Sequence, residues 1–485
     1  MVPDPFLKPF FGVLLLKHRD NLISGGEDMF GNFEGWLFSV VFIVVVWIYL
    51  LIRKGPVAAL GASMVLSFAF PVWLKVDIGG APIDVRTAIA LINLLSFILH
   101  PRGFHPQGKI LLPLTLLDCC MAMIYLSHIA TDSFATGFTP MLPCLAYCEW
   151  VLPYVAGRYA IRDRNDLKWV ASWVLGVLLL LGLTACFESL TKVNPFEFVF
   201  GNRPTELASR HAARFGLKRA FAPTMHPIFF GMMMTVLMPW LVCMWQSSES
   251  RRIRGLTVFA GAIALAGTVF TISRTPVITF LIAASLTLAL RFKVLRWPLG
   301  LSLAIAIGVF VAFPNEVMDA ASRWTGGGDK PRLIEIDGEA VVTSSSRSRL
   351  HILGIYSEAL AKAGLFGYGS EATTGFPLRI PGVDGTFKSA NLFKQVDNGY
   401  ILLTLRFGWV GGACLVILFL TAIATGLSLY FERPDQLFPG VVACLLAVVA
   451  SFSLLLVFMS YDFGLPILWT MGVLSGLASA RTEER

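Results

Sequence analysis

A few polar side chains of this chain lie at boundaries between polar and apolar segments, where they could take part in chemistry. Asp397 is the clearest example. The stretch Asp397-Asn398-Gly-Tyr400 closes the longest polar segment of the sequence and continues directly into an apolar run. A carboxylate in a partly dehydrated place near arginines acts as a general base for a hydroxyl, or it holds an arginine in position. The residues alone leave both roles open for Asp397.

Arginines at other boundaries between polar and apolar segments are the candidate partners of an anionic substrate. They are Arg214, Arg219, Arg274, Arg347 and Arg349. A cation beside a membrane is costly unless an anion accompanies it. Guanidinium groups and helix N-termini both bind phosphate, so the pattern predicts a phosphate site. Pairing with acids of the chain itself, or with lipid headgroups, is the structural alternative.

Three predicted helices must position these side chains. One is an amphipathic helix from about Arg347 to Lys362, ended by Gly364. A second follows Arg274, with Thr275 as its cap and Pro276 as its first residue. A third starts at His226-Pro227, where the histidine is either a structural residue of the helix start or a base or ligand.

The composition indicates a membrane protein. Of the 485 residues 56% are hydrophobic and 14% charged, and the mean hydropathy is +0.70, too apolar for a soluble domain. The net charge of +8 lies mostly in short loops, so it reports topology rather than a nucleic-acid partner. The eight cysteines lie almost wholly in apolar runs and are interpreted as packing residues.

The predicted fold is an all-α polytopic integral membrane protein with about 12–13 transmembrane helices. The apolar runs lie at 35–52, 56–74, 84–99, 110–128, 139–156, 168–187, 226–245, 256–272, 276–290, 299–313, 399–430, 438–459 and 464–480. Residues 1–34 form an N-terminal tail, 35–480 one transmembrane domain, and 481–485 a cytoplasmic tail. Basic residues in alternate loops put the long segments 188–225 and 314–397 outside, where they form the site.

Five segments, in order, resemble the O-antigen ligase and Wzy-type polysaccharide polymerase superfamily of bacterial envelope enzymes. The resemblance covers roughly residues 180–430 and depends on Glu188 with Asn194-Pro195, Arg219 with His226-Pro227, Ser273-Arg274, Arg349 with Leu365-Phe-Gly367-Tyr-Gly369, and Asp397-Asn398-Gly-Tyr400 with Gly408 and Gly411-Gly412. Each element is short, and their order and predicted topology give the resemblance its specificity.

The resemblance implies a membrane glycosyltransferase that uses an undecaprenyl-pyrophosphate-linked glycan at the periplasmic face of the inner membrane. Arg219, Arg349 and Asp397 are then the catalytic candidates, with the arginines on the pyrophosphate. The substrate-binding candidates are Arg214, Arg274, Arg347, His226, Asn398 and Tyr400. No metal or cofactor is implied, and a flippase and a chain-length regulator are the implied protein partners.

One departure from the family favours a particular member of it. The ligases resembled here usually carry histidine where this chain has Asp397, which favours a polymerase of repeat units for exopolysaccharide, capsule or O-antigen over a ligase that transfers finished polymer to lipid A core. A lipid-linked glycan transporter is a competing hypothesis, to which Asp118 and Glu149 in apolar runs would contribute; the sequence shows no partner for either. A non-catalytic membrane scaffold is a third.

Overall fold

The protein, seen in a computed structural model, is built from long apolar helices. The structure describes residues 29–78, 81–100, 113–161, 163–201, 214–324, 331–336, 339–344, 352–370, 379–381, 387–389, 396–432, 439–459 and 465–482. The helices are α1 (Met29–Lys54), α2 (Pro56–Ser67), α3 (Val85–Leu99), α4 (Leu116–Thr136), α5 (Met141–Ala146), α6 (Leu152–Tyr159), α7 (Arg164–Thr191), α8 (Pro195–Phe200), α9 (Pro227–Leu237), α10 (Pro239–Ser247), α11 (Arg251–Phe270), α12 (Arg274–Arg291), α13 (Arg296–Ala312), α14 (Pro314–Trp324), α15 (Ile352–Ala363), α16 (Gly399–Glu432), α17 (Pro439–Leu455) and α18 (Leu465–Thr482).

Strands contribute only small antiparallel hairpins to the part of the chain that is described. They pair β1 (Lys75–Ile78) with β2 (Ala81–Asp84), β3 (Pro331–Ile336) with β4 (Glu339–Ser344), and β5 (Arg379–Pro381) with β6 (Phe387–Ser389). The last two hairpins lie in the segment 314–397, where the sequence predicted a helix but no strand. The helices therefore form the scaffold.

Apolar length identifies the membrane spans. Among the described residues, eight helices are long and apolar enough to cross a membrane, and each apolar run predicted from the sequence overlaps one or more helices. Apolar surface faces outward on them: α13 has no buried residue, and Trp297 near its start is 87% exposed. Because helices satisfy their own backbone groups, they are suited to lipid, and the predicted all-α polytopic fold is confirmed.

Several predicted spans are discontinuous. The run at 226–245 consists of α9 and α10, with Pro239 at the start of the second helix. The run at 139–156 consists of α5, a π-helical turn at Tyr147–Val151 and α6. Proline lacks the N–H that would continue the helical hydrogen bonds, and a π-turn inserts a residue into them. A single apolar run in the sequence therefore does not correspond to a single uninterrupted helix.

The closest helix packing joins α6 to α18. Gly157, Gly472 and Gly476 face the neighbouring backbone, and a Cβ atom at Gly472 would overlap the carbonyl oxygen of Tyr154. Small residues let membrane helices approach closely enough for extensive van der Waals contact. These glycines therefore fix the distance between the two helices.

Asp118, for which the sequence shows no partner, has several in the structure. Its carboxylate lies 2.8 Å from a guanidinium nitrogen of the buried Arg158 and accepts a 2.7 Å hydrogen bond from the Tyr154 hydroxyl. It also accepts from the Thr115 N–H at 2.6 Å within a capping box at the start of α4. Arg158 donates further to the Pro113 carbonyl at 2.6 Å. The charges of Asp118 and Arg158 are thus paired and hydrogen-bonded, which is a structural role for Asp118.

The amphipathic helix of the segment 314–397 is α15. It is described from Ile352, and the predicted start at Arg347 lies outside the described residues. Its end agrees with the prediction, since Gly364 follows with a φ of 62°, a left-handed conformation that favours glycine.

The eight cysteines all carry free thiols.

Replacing Gly472 by alanine should destabilise the protein. The added methyl group would press against the α6 backbone, and overpacking of this kind costs about 1–3 kcal/mol. The matched control is Gly300→Ala on α13, where no atom lies within 4 Å of an added Cβ. Thermal unfolding of both variants in detergent measures the effect. A wild-type melting temperature for Gly472→Ala would contradict the close packing.

Candidate functional site

The basic segment before α9 folds into a tight turn. The backbone N–H of Arg214 donates to the Leu217 carbonyl and the N–H of Leu217 to the Arg214 carbonyl, both at 2.9 Å. Between them Phe215 and Gly216 have φ values of 54° and 78°. Two successive positive φ values are characteristic of a type I′ turn, which glycine makes possible. The turn brings Arg214 back toward Lys218 and the residues that follow.

Glu188, in the last turn of α7, fixes the backbone of the basic segment before α9 by hydrogen bonding. It is fully buried, and one carboxylate oxygen accepts from the N–H groups of Phe221 at 3.1 Å and Ala222 at 2.9 Å. The other oxygen lies 3.4 Å from the ammonium group of Lys218. Two backbone donors and a cation offset part of the cost of burying the carboxylate. Asn194 adds a 3.1 Å bond from its side-chain amide to the Ala222 carbonyl.

Arg219 joins this segment to the turn between α11 and α12. Its side chain is 7% exposed; Nε donates to the Thr271 carbonyl at 3.0 Å and one terminal nitrogen to the Ser273 hydroxyl at 2.6 Å. A 3.3 Å bond from Arg214 to the Ile272 carbonyl runs parallel to it. Both acceptors of Arg219 are neutral. Among the described residues, Arg219 has no carboxylate partner.

The start of α12 differs from the prediction. Ser273, with φ −122° and ψ 130°, is the N-cap and Arg274 the first helical residue, so the prediction of Thr275 as cap and Pro276 as first residue is wrong. The physical reason is that Ile272, with a φ of 46°, already turns the chain, so the helix starts two residues earlier than predicted. The Ser273 hydroxyl engages Arg219 and makes no capping bond, which leaves the helix N-terminus without a side-chain cap.

The electrostatics of this corner favour an anion. Burial, and then the neighbouring charges of Arg214 and Arg274, lower the pKa of Arg219, which means that its charged form is destabilised. The N-terminus of α12 adds the partial positive charge of its free N–H groups. An anion held there would reverse the destabilisation of the cation. We call Arg214, Arg219, Arg274 and the α12 N-terminus the arginine corner.

Asp397 lies at a second helix start. Asn398 caps α16, with its side-chain oxygen accepting the Ile401 N–H at 3.0 Å, and Tyr400 donates its hydroxyl to the Ser453 carbonyl of α17 at 2.8 Å. Tyr356 of α15 is buried, and burial followed by the nearby Asp397 carboxylate raises its pKa. The polar atoms of Asn398 and Tyr400 therefore hold the frame around Asp397.

The two helix starts belong to helices that both pack against α17. Ile282 and Leu286 of α12 and Tyr400 of α16 line one open, largely apolar cavity of about 470 Å³. Arg274 precedes Ile282 by two helical turns, and Asp397 precedes Tyr400 by three residues. The arginine corner and Asp397 thus lie at the starts of two helices, and later residues of both helices line the same cavity.

Not every predicted site residue is found in these two groups. His226 caps α9, its Nδ1 accepting the Ile228 N–H at 3.1 Å, which is the structural role foreseen as one alternative. Arg347 and Arg349 lie outside the described residues, so their assignment stays a prediction. No group of three or more histidine, cysteine or acidic side chains able to hold a metal ion is found in the described part of the chain.

Sequence reasoning left Glu188, Lys218, Ser273 and Tyr356 out of the candidate site. The motif that contains Glu188 and Asn194 drew attention to the first of them. Its role depends on two backbone N–H groups more than thirty residues away, which no residue type in the sequence reveals. Tyr356 had no signal beyond its place in an amphipathic helix.

Truncating Glu188 should destabilise the arginine corner. Glu188→Ala leaves the buried N–H groups of Phe221 and Ala222 without their acceptor, a loss of about 1–3 kcal/mol per buried group. The matched control is Glu197→Ala, which removes a more exposed carboxylate 3.8 Å from the same Lys218. Thermal unfolding should show a clear loss for Glu188→Ala and a small one for Glu197→Ala. Equal losses would contradict the account.

Comparison with known proteins covers part of this site. Residues 259–416, which include Arg274, Asp397 and the broken part of α16, match the family model described as O-antigen ligase. No curated protein matches the chain. Members of that family are membrane glycosyltransferase-like enzymes, and the helices long enough to span a membrane agree with a bacterial membrane protein. Residues 259–416 are thus similar to the O-antigen ligase family, which confirms the resemblance for the motifs in this range, those of Ser273-Arg274, Gly367 and Asp397-Asn398; the motifs of Glu188 and Arg219 lie before it.

Proposed function

We propose that this protein transfers a glycan from an undecaprenyl-pyrophosphate carrier to an acceptor sugar, and that it polymerises repeat units in this way. The arginine corner is the observation that carries the proposal. Arg219 is buried and, in the described part of the chain, donates to neutral acceptors only. Its burial and two further arginines lower its pKa, and the helix N-terminus beside it has no side-chain cap. A pyrophosphate supplies the anionic oxygens that this arrangement stabilises.

The reaction follows from the charge that develops on the leaving group. The acceptor hydroxyl attacks the anomeric carbon of the donor sugar, and the bond from that carbon to the pyrophosphate oxygen breaks with its electron pair going to the oxygen. Arg219, Arg274 and Arg214 stabilise this growing negative charge. Asp397 takes the proton of the attacking hydroxyl, which completes the balance of charge. Arg349 and Arg347 are proposed to reach the same pyrophosphate from the segment before α15.

Asp397 favours a polymerase. A carboxylate takes the place that a histidine usually occupies in the ligases that the chain resembles, and a positioned carboxylate can accept the proton of an attacking sugar hydroxyl. The second candidate is an O-antigen ligase acting on lipid A core, which the description of the matching family favours. Either activity would place the arginine corner at the periplasmic face of the inner membrane, with a flippase and a chain-length regulator as proposed partners.

Loss of Arg219 should abolish transfer. Arg219→Ala removes one preorganised donor from the leaving group, for which losses of about 10²–10³-fold are typical. The variant is expressed in the producing bacterium from which the native copy has been deleted, with protein levels matched by immunoblot, and polymer is measured by gel electrophoresis. Arg252→Ala is the control, because Arg252 is an exposed arginine at the start of α11, whereas Arg219 contacts residues just after the end of that helix. Full-length polymer from Arg219→Ala would overturn the proposal.

The linkage of the product distinguishes the two candidates. In the deletion strain, a missing polymerase leaves single repeat units on the lipid carrier, whereas a missing ligase leaves long polymer on that carrier. The proposal predicts single units. Long carrier-linked polymer would favour the ligase, and single units retained on the cytoplasmic side of the membrane would favour a transporter.

A further inference from the structure

The helix that follows Asp397 is broken at a defined point. Within α16, Phe407 has φ −116° and ψ 15° and Gly408 has φ 68° and ψ −173°, neither of them helical. A break in an apolar helix frees N–H and C=O groups on both sides, and each is costly in a membrane environment unless it finds a partner. The partners come from another part of the chain.

The loop that leaves α15, residues 364–370, supplies them; we call it the exit loop. Tyr368 and Gly369 donate their N–H groups to the carbonyls of Leu405 at 2.8 Å and Arg406 at 2.9 Å. In return the N–H groups of Trp409 and Val410 donate to the exit-loop carbonyls of Gly364 at 3.1 Å and Leu365 at 3.3 Å. The break in α16 is therefore completed by four hydrogen bonds from the exit loop.

Glycines allow this close approach. A Cβ atom at Gly408 would overlap the Leu365 carbonyl, and a Cβ at Gly367 would overlap the Gly408 backbone nitrogen. Both residues also have positive φ values, 68° and 73°. The Leu-Phe-Gly-x-Gly motif and the Gly408 downstream of Asp397 thus meet as two halves of one contact.

A buried network on α4 holds the end of the exit loop. The Asp132 carboxylate accepts from the Ser370 N–H at 2.6 Å and from the Ser370 hydroxyl, and it lies 3.2 Å from Nε2 of His128. The Trp150 N–H donates to Nδ1 of His128 at 3.0 Å, so the ring proton is on Nε2 and donates to Asp132. The His128 ring packs against Phe407 at 4.7 Å between centroids.

We propose that Asp132 is a positioning residue of the transfer reaction, acting through the exit loop on the two elements that frame Asp397. This rests on the proposed function. Asp132 fixes Ser370 and, with His128, the break at Phe407. The exit loop is continuous with α15, which carries Tyr356, and is bonded to α16, which begins beside Asp397. A shift of about 1 Å in a reacting group costs about 10²-fold in rate.

Asparagine at position 132 tests the role with little change in shape. Three donors converge on the Asp132 carboxylate, from Ser370 and His128, and an amide NH₂ would face at least one of them. We expect the kcat of Asp132→Asn, with lipid-linked donor extracted from the deletion strain, to fall about 10–100-fold while the donor KM, set largely by the arginine corner, changes less than about threefold. Amide hydrogen exchange in the exit loop and at 405–410 should become faster.

Ser370→Ala is the second variant and keeps the test decisive if Asp132→Asn does not fold. It removes the hydroxyl bond and leaves the backbone bond, so a smaller fall in kcat is expected. Its matched control is Ser357→Ala, which removes an exposed hydroxyl of α15 and should change neither kcat nor exchange. Wild-type kcat in both Asp132→Asn and Ser370→Ala, with or without faster exchange, would overturn the positioning role. If the wild-type protein itself makes no polymer while hydrogen exchange in the variants becomes faster as expected, the proposed function fails. The structural contact between Asp132 and the exit loop is then still supported.

Discussion

The burial of the Arg219 guanidinium is the interaction on which the arrangement of the site depends. A buried cation is costly unless its N–H groups and its charge both find partners. The Thr271 carbonyl and the Ser273 hydroxyl satisfy two N–H groups, but neither carries a charge. Arg214 and Arg274 increase the cost rather than reduce it. Glu188 and Asn194 keep this segment in place through bonds to its backbone, so the scaffold holds the buried cation at its cost.

The second half of the site depends on a different constraint, the satisfaction of backbone groups in a broken apolar helix. α16 starts beside Asp397 and breaks after about two turns, and the exit loop of α15 satisfies the groups that the break exposes. This contact makes α15 and the start of α16 one structural unit. Residues that the sequence separates by about forty positions are therefore held together.

Much of this organisation was predictable from the sequence, and the exceptions have physical causes. Hydropathy predicted the helices because a span must be long and apolar. The motif order predicted that Arg219 and Ser273-Arg274 belong together, but it did not show that Ser273 would accept from Arg219 and give up capping. Asp118 was left without a partner because Arg158 reaches it only through the packing of α4, α6 and α18. Long-range contacts to backbone atoms, such as those of Glu188, leave no trace in residue type.

The most direct test of the arginine corner is binding of the anion itself, without turnover. Purified protein in nanodiscs is titrated with undecaprenyl pyrophosphate and with undecaprenyl monophosphate, and thermal unfolding is followed. A ligand that binds the folded state raises the melting temperature, and at equal concentration the tighter ligand raises it more. The account predicts that the pyrophosphate raises it more than the monophosphate does, and that Arg219→Gln removes the difference. Equal stabilisation of the wild type and Arg219→Gln by the pyrophosphate would contradict it.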